Sequence, residues 1–206
     1  LIGFAGAPWT LYRYMSGNTL PGHIDEFDGA YMMTRLADYI VEHLSQQIKA
    51  GCDTVQIFDS WASDLGEDHI IPYCFEPTAQ IVERLKDMHP DVGIIVFPRL
   101  IGEEINNYSK YVDADCISLS DDMKIDWILK RMGHQCMQGG ISPEALITDN
   151  KESILRSTVP MIRQMKDCAY VVNLAHGINK ETPVESVRFF VEIVKRNREV
   201  ITRETR

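Results

Sequence analysis

A chain of 206 residues in which 45% of the side chains are hydrophobic is long enough to bury a core of ordinary single-domain size. Its formal net charge of −9 and isoelectric point near 5.1 exclude a general binder of nucleic acid or of anionic membranes, which needs a basic surface. No run of about 18 apolar residues occurs, so no membrane-spanning helix is expected, and nothing at the start has the pattern of a signal peptide.

The opening run "LIGFAGAPWTLYRYMSG" reads as a buried strand carrying Leu1, Ile2 and Phe4, then a turn at Gly6 and Pro8, then a helix starting at Thr10–Met15. It begins mid-strand without a Met, so its first residue is not expected to be the natural first residue. Met32, Leu36, Ile40, Leu44 and Ile48 form a helical stripe, and Gly51 stands where a helix stop belongs. "TVQIF" is the second strand, and Pro77 marks the first turn of the next helix. "VGIIVF", "CISLS", "CMQGG" and "YVVNLA" follow as the third to sixth strands. The third and sixth are near-continuous in apolar residues, as strands buried on both faces are. Pro143 again suits a first helical turn, and Thr182-Pro183-Val184-Glu185 reads as an N-cap, a leading Pro and a capping box. Strand and helix alternating six times predict parallel βαβ units in an α/β fold. No linker or composition shift interrupts them, so residues 1–206 are expected to be one domain. An open doubly wound sheet and most of an eight-stranded barrel both fit this periodicity.

The turns carry the chemistry. Polar residues and glycines collect after the strands, in "AGAPWTLYRYM", "DSWASDLG", "GGISP" and "HGINKETP", whereas the helix-to-strand turns are short and plain. Such asymmetry is the mark of a one-sided site at the carboxyl ends of parallel strands. No Gly-x-Gly-x-x-Gly or P-loop follows any strand, which removes the main support for nucleotide binding. Three residues stand out: Tyr14, Ser60 and His176. Their plain alternatives are a packing aromatic, a cap on the following helix and a core histidine satisfied by a carbonyl. No nucleophile-elbow pattern surrounds Ser60. Asp59, Asp64, Glu67 and Asp68 form an acidic cluster expected to be a solvated loop, and His134-Gln-Cys136 is a metal-like pair without a persuasive third ligand. The five scattered cysteines, Cys52, Cys74, Cys116, Cys136 and Cys168, are expected to be free thiols, which points to a reducing, cytoplasmic compartment.

Four of these runs, "GFAGAPWTLYRYM", "VQIFDSWASDLG", "QGGISPEAL" and "NLAHGINKETPVESV", resemble in this order the uroporphyrinogen decarboxylase family, over Leu1 to about Arg198. The resemblance implies a (β/α)8 TIM barrel of which strands three to eight are present. It also implies a homodimer acting without cofactor or metal, and removal of four acetate carboxyls from uroporphyrinogen III to give coproporphyrinogen III. Tyr14, Ser60 and His176 match family positions that contact the substrate. The family's catalytic aspartate and carboxylate-clamping arginines precede the "GFAGAPWTL" turn, so no catalytic residue is assigned within this chain. For the same reason the 206 residues alone are expected neither to close a barrel nor to decarboxylate.

Departures from the family pattern are Gly17 for an acidic residue, Ser120 for Asp, Gly140 for Asn, and Pro98-Arg99 for a small-residue turn. The acidic chain must bind an octa-anionic substrate through focused arginines. Arg13 and Arg99 are the candidates, both expected at the surface. A rival enzyme class is a zinc-dependent corrinoid methyltransferase on the same barrel, which needs His-x-Cys before "GGISP" and Cys in place of His176. A non-catalytic barrel serving as a binding protein is the other rival.

Overall fold

The computed structural model describes residues 1–17, 26–148 and 150–204, the side chains of 26–27 and 198–204 excepted. Six strands, β1 (Ile2–Gly6), β2 (Thr54–Asp59), β3 (Gly93–Pro98), β4 (Cys116–Leu119), β5 (Cys136–Gly139) and β6 (Tyr170–Val171), each overlap one of the six apolar runs. They lie in sequence order in the sheet, β1-β2-β3-β4-β5-β6. The registers are parallel, as in Gly3↔Val55 and Val55↔Ile94. No strand-order reversal occurs, so the switch point of a doubly wound sheet is absent from the described strands. The residues cluster into two compact units, Leu1–Ile117 and Ser118–Arg206.

In the first unit, α1 (Pro8–Met15) follows β1, and α2 (Glu26–Lys49) packs on β1, on α1 and on α4 (Glu76–Met88). Leu36, Ile40 and Leu44 of the expected stripe are buried with Met33, Ala37 and Val41, while Met32 and Ile48 at its ends are half-buried. Gly51 ends the helical segment with φ of +105°, a conformation suited to glycine.

The burial expected of Leu1, Ile2 and Phe4 is corrected: they are 79%, 52% and 63% exposed. Alternate residues of a strand take opposite faces, and it is Gly3 and Ala5 that lie on the covered side. Phe4 instead begins an aromatic row on the other face, edge-on to Phe58 at 5.9 Å, with Phe58 edge-on to Phe97 at 6.2 Å. On β1 the Gln47 amide accepts from the Phe4 N–H at 2.8 Å and donates to the Phe4 carbonyl at 2.9 Å. Gly3 leaves room for it, since a Cβ there would lie 2.5 Å from Gln47 Oε1.

Pro77 does stand in the first turn of α4, but helical backbone begins earlier. It runs from α3 (Glu67–Ile70) through a π-helical turn, Ile71–Phe75, which buries three consecutive side chains, Tyr73, Cys74 and Phe75. α5 (Ile105–Tyr111) adds Ile105 and Tyr108 to the core.

In the second unit, Met137 pairs with Tyr170 and Gln138 with Val171, and an isolated bridge joins Ile141 to Leu174. The expectation of a sixth strand buried on both faces is corrected. β6 has two residues and Val171 is 45% exposed. It lies at the end of the described sheet order, with a paired strand on one side only. α6 (Ile125–Met132) precedes β5, Pro143 opens a short 3-10 turn, and α7 (Lys151–Gln164) packs on α8 (Val184–Glu204). Asn150 caps α7 by accepting from the Glu152 N–H at 3.0 Å. Thr182 does not cap α8: that helix starts at Val184, one residue too late, and the buried Thr182 hydroxyl has no hydrogen-bond partner. All five cysteines are free. No helix among the described residues is long and apolar enough to cross a membrane.

Candidate functional site

At the carboxyl ends of β1 and β2, within the first unit, two of the three expected site residues come together. Tyr14 lies in the last turn of α1, 61% exposed, and is therefore no packing aromatic of the core. Its ring meets Trp61 edge-on at 6.3 Å. Ser60 follows β2 directly and is half-buried. It caps nothing: the next helical turn, Ala62–Asp64, has Trp61 at its N-cap position and no side-chain cap.

The acidic cluster beside Ser60 is corrected in part. Asp59 is 2% exposed and accepts a hydrogen bond from Thr10 Oγ1 at 2.7 Å. Burial pushes its carboxyl up to about 6, against the lowering effect of hydrogen bonds from Thr10 and Cys74. Asp64 pairs with Arg13 at 2.7 Å. Only Glu67 and Asp68, in the first turn of α3, are exposed as expected. Arg13 is likewise corrected from surface residue to buried one, at 6% exposure. Its guanidinium lies 5.1 Å from the Trp61 ring centre as well as against Asp64, so its charge is already matched.

Arg99, after β3, is half-buried, and among the described residues no side chain engages its guanidinium. The next residue, Leu100, has φ of +57°, a strained left-handed conformation for a branched side chain. Leu100 helps line a cavity of about 490 Å³ with Ala62, Leu65, Ile70, Ile101 and Glu104.

His176 belongs to the second unit. It follows the Ile141↔Leu174 bridge, and the Ala175 N–H donates to the Ile141 carbonyl at 2.7 Å. The imidazole is exposed, which rules out the core-histidine alternative. Nδ1 is 2.8 Å from the Gly177 carbonyl oxygen, which only accepts, so Nδ1 carries the hydrogen and Nε2 faces outward.

Two glycines precede this region. Gly139 and Gly140 both have φ of +83°. A Cβ on Gly139 would stand 3.0 Å from the Leu119 carbonyl oxygen, and one on Gly140 2.5 Å from Met161 Cε. The Ser120 departure is buried, whereas Gly17, at φ of +67°, has open space around it. His134 and Cys136 stand at the amino end of β5, the end away from Gly139 and Gly140. Among the described residues no three His, Cys, Asp or Glu side chains are grouped to hold a metal ion.

Sequence reasoning missed Trp9, Thr10 and Trp61. Trp9 is fully buried, stacked between Tyr12 at 5.9 Å and Tyr73 at 5.8 Å, and donates from Nε1 to the Trp61 carbonyl at 3.0 Å. Two tryptophans placed just past the ends of neighbouring strands were the available signal.

The family model for uroporphyrinogen decarboxylase matches residues 1–197. The chain belongs to the uroporphyrinogen decarboxylase family. Among curated relatives, the uroporphyrinogen decarboxylase of Orientia tsutsugamushi (strain Boryong) is 34% identical over 204 residues, covering 95% of this chain and 60% of that protein. Those of Cereibacter sphaeroides (strain ATCC 17025 / ATH 2.4.3) and Paracoccus denitrificans (strain Pd 1222) are each 31% identical over 205 residues, again covering 60% of the relative. The chain thus spans about 60% of the length of the curated relatives it matches. The uroporphyrinogen decarboxylase family is a TIM-barrel family, and six parallel strands in sequential order fit part of that barrel.

Proposed function

We propose that this protein takes part in decarboxylating uroporphyrinogen to coproporphyrinogen, as a carboxy-lyase of porphyrin biosynthesis. The observation that carries the reading is the adjacency of Tyr14 and Ser60 beside Trp61, at the carboxyl ends of two neighbouring strands, in a chain of this family. Each step exchanges one carboxylate for a hydrogen: the acetate arm loses CO₂, its methylene takes up a proton, and a methyl group results. The electron pair needs somewhere to go, and a pyrrole ring protonated at its α-carbon accepts it, so the substrate acts as its own electron sink. The protein's task is then to hold the ring and its anionic arms and to manage protons.

Tyr14 and Ser60 hydroxyls donate to carboxylate arms in this reading. His176 presents Nε2, as acceptor when neutral and as second donor when protonated. Arg99 supplies the positive charge for the arms that Arg13, held by Asp64, does not. Residues 1–206 belong to one TIM-barrel domain without forming all of it, in a homodimer in the cytoplasm, in keeping with the free thiols.

The test is titration of the chain with uroporphyrin, the oxidised octacarboxylate ring, followed by porphyrin absorbance. Removing one donor to a charged arm, in Tyr14→Phe, Ser60→Ala or His176→Asn, is expected to weaken binding about tenfold or more. A chimaera in which this chain replaces the matched part of the Orientia tsutsugamushi relative tests turnover, read as coproporphyrinogen formed. A folded chimaera that is inert, or variants that bind and turn over like the parent, would overturn the reading.

A further inference from the structure

A line of buried contacts joins the turn that carries Ser60 to the helix that carries Tyr14. Asp59 ends β2 one residue before Ser60, and its Oδ1 accepts from Thr10 Oγ1 at 2.7 Å. Thr10, 3% exposed, lies one helical turn before Tyr14 in α1. The same Thr10 oxygen accepts the Trp61 N–H at 3.3 Å, and the Trp61 carbonyl accepts from Trp9 Nε1 at 3.0 Å. Ser60 is thereby bracketed by two residues that are each tied to α1. On the third strand, the Arg99 N–H donates to the Asp59 carbonyl oxygen at 3.1 Å. The amino end of α1 has no side-chain cap from its own Ala7; Asp59 brings a carboxylate to that end from another strand, where its Oδ1 accepts from the Thr10 hydroxyl.

We infer that Asp59 is a positioning residue, whose buried carboxylate, acting through the Thr10 hydroxyl, fixes the turns bearing Tyr14 and Ser60 in one relative geometry. The inference rests on the reading that these side chains meet the substrate. The titratable groups facing Asp59 are the Cys74 thiol from the π-helical turn and the Tyr108 phenol from α5. Burial pushes both well up, so both stay neutral where Asp59 changes charge. Arg13 and Asp64 form an ion pair beside Trp61 and offset one another.

The test uses the whole chain and two readouts. Near-ultraviolet circular dichroism and tryptophan emission are followed from pH 4.5 to 8, and uroporphyrin affinity is measured at both ends of that range. The parent is expected to show a spectral change centred near pH 6. Asp59→Asn should remove it. Asp59→Asn and Thr10→Val should each weaken uroporphyrin binding about tenfold at pH 8. Thr10→Ser, which keeps the hydroxyl, should bind within about twofold of the parent and guards against a Thr10→Val chain that fails to fold. If the parent does not bind uroporphyrin, the substrate reading fails, while the spectral change and its loss in Asp59→Asn still report the positioning. Retention of the parent's pH profile by Asp59→Asn, or loss of binding in Thr10→Ser as severe as in Thr10→Val, would overturn the inference.

Discussion

The strand end at Asp59–Trp61 and the one at Leu174–Gly177 hold their side chains by different means. At the first, Trp9, Thr10, Asp59 and Cys74 are all buried, and Ser60 inherits its place from neighbours bonded on both sides. At the second, an exposed His176 is held by main-chain bonds, Ala175 N–H to Ile141 and its own ring to Gly177. A densely packed turn gives a fixed side chain whose loss of support is costly. A turn held by local bonds, with its side chain exposed, leaves that side chain dispensable for folding, so its function can be tested separately from its stability.

That contrast is broken or sharpened most strongly at Trp9. Trp9→Ala empties a fully buried site between two aromatic rings and should cost about 3–5 kcal/mol in urea unfolding. A loss below about 1 kcal/mol would mean that the first strand end is no better packed than the second.

Next comes the pH dependence of Asp59. Its carboxyl rises from 3.8 to about 6 on folding, so the native chain holds a proton that the unfolded chain gives up. Stability from this group is therefore fullest below about pH 4, falls by about 3 kcal/mol as pH climbs to about 6, and is level beyond. Subtracting the Asp59→Asn profile from the parent's isolates this change; a difference flat from pH 4 to 7 would refute it.

Smaller effects belong to the second unit. Gly140→Asn places a side chain at φ of +83°, with its Cβ against the movable end of Met161, and should cost about 1–2 kcal/mol. His176→Asn should change stability by less than about 0.5 kcal/mol while weakening uroporphyrin binding. A large drop in melting temperature for His176→Asn would erase the contrast between the two ends.

The positions of all six strands were legible because apolar runs bounded by Gly, Pro and Asp announce themselves locally. Which face of β1 is covered was not: Ile2 and Phe4 carry the apolar weight, yet the covered residues are Gly3 and Ala5, and nothing in five residues says which side a helix 40 positions away will take. Tyr14, Ser60 and His176 stand out in the sequence by their places after strands and by the family resemblance. Asp59 and Arg13 were misread for one reason. In "FDSWASD" and "LYRYM" they look like surface charges, and the partners that bury them, Thr10 and Asp64, lie 49 and 51 residues away. Thr182 fails in the opposite way: its local pattern is that of a cap, but the helix begins one residue further on.

The Gln47 side chain on β1 is, in effect, a borrowed peptide group. Its amide offers Phe4 one acceptor and one donor, as a neighbouring strand would. Hydrogen exchange at the Phe4 amide should be slow as long as this pair of bonds is in place. Gly3 is what permits it, because a methyl group there would displace the amide. A Gly3→Ala chain would therefore keep its own sheet and lose these two bonds, read as faster hydrogen exchange at the Phe4 amide.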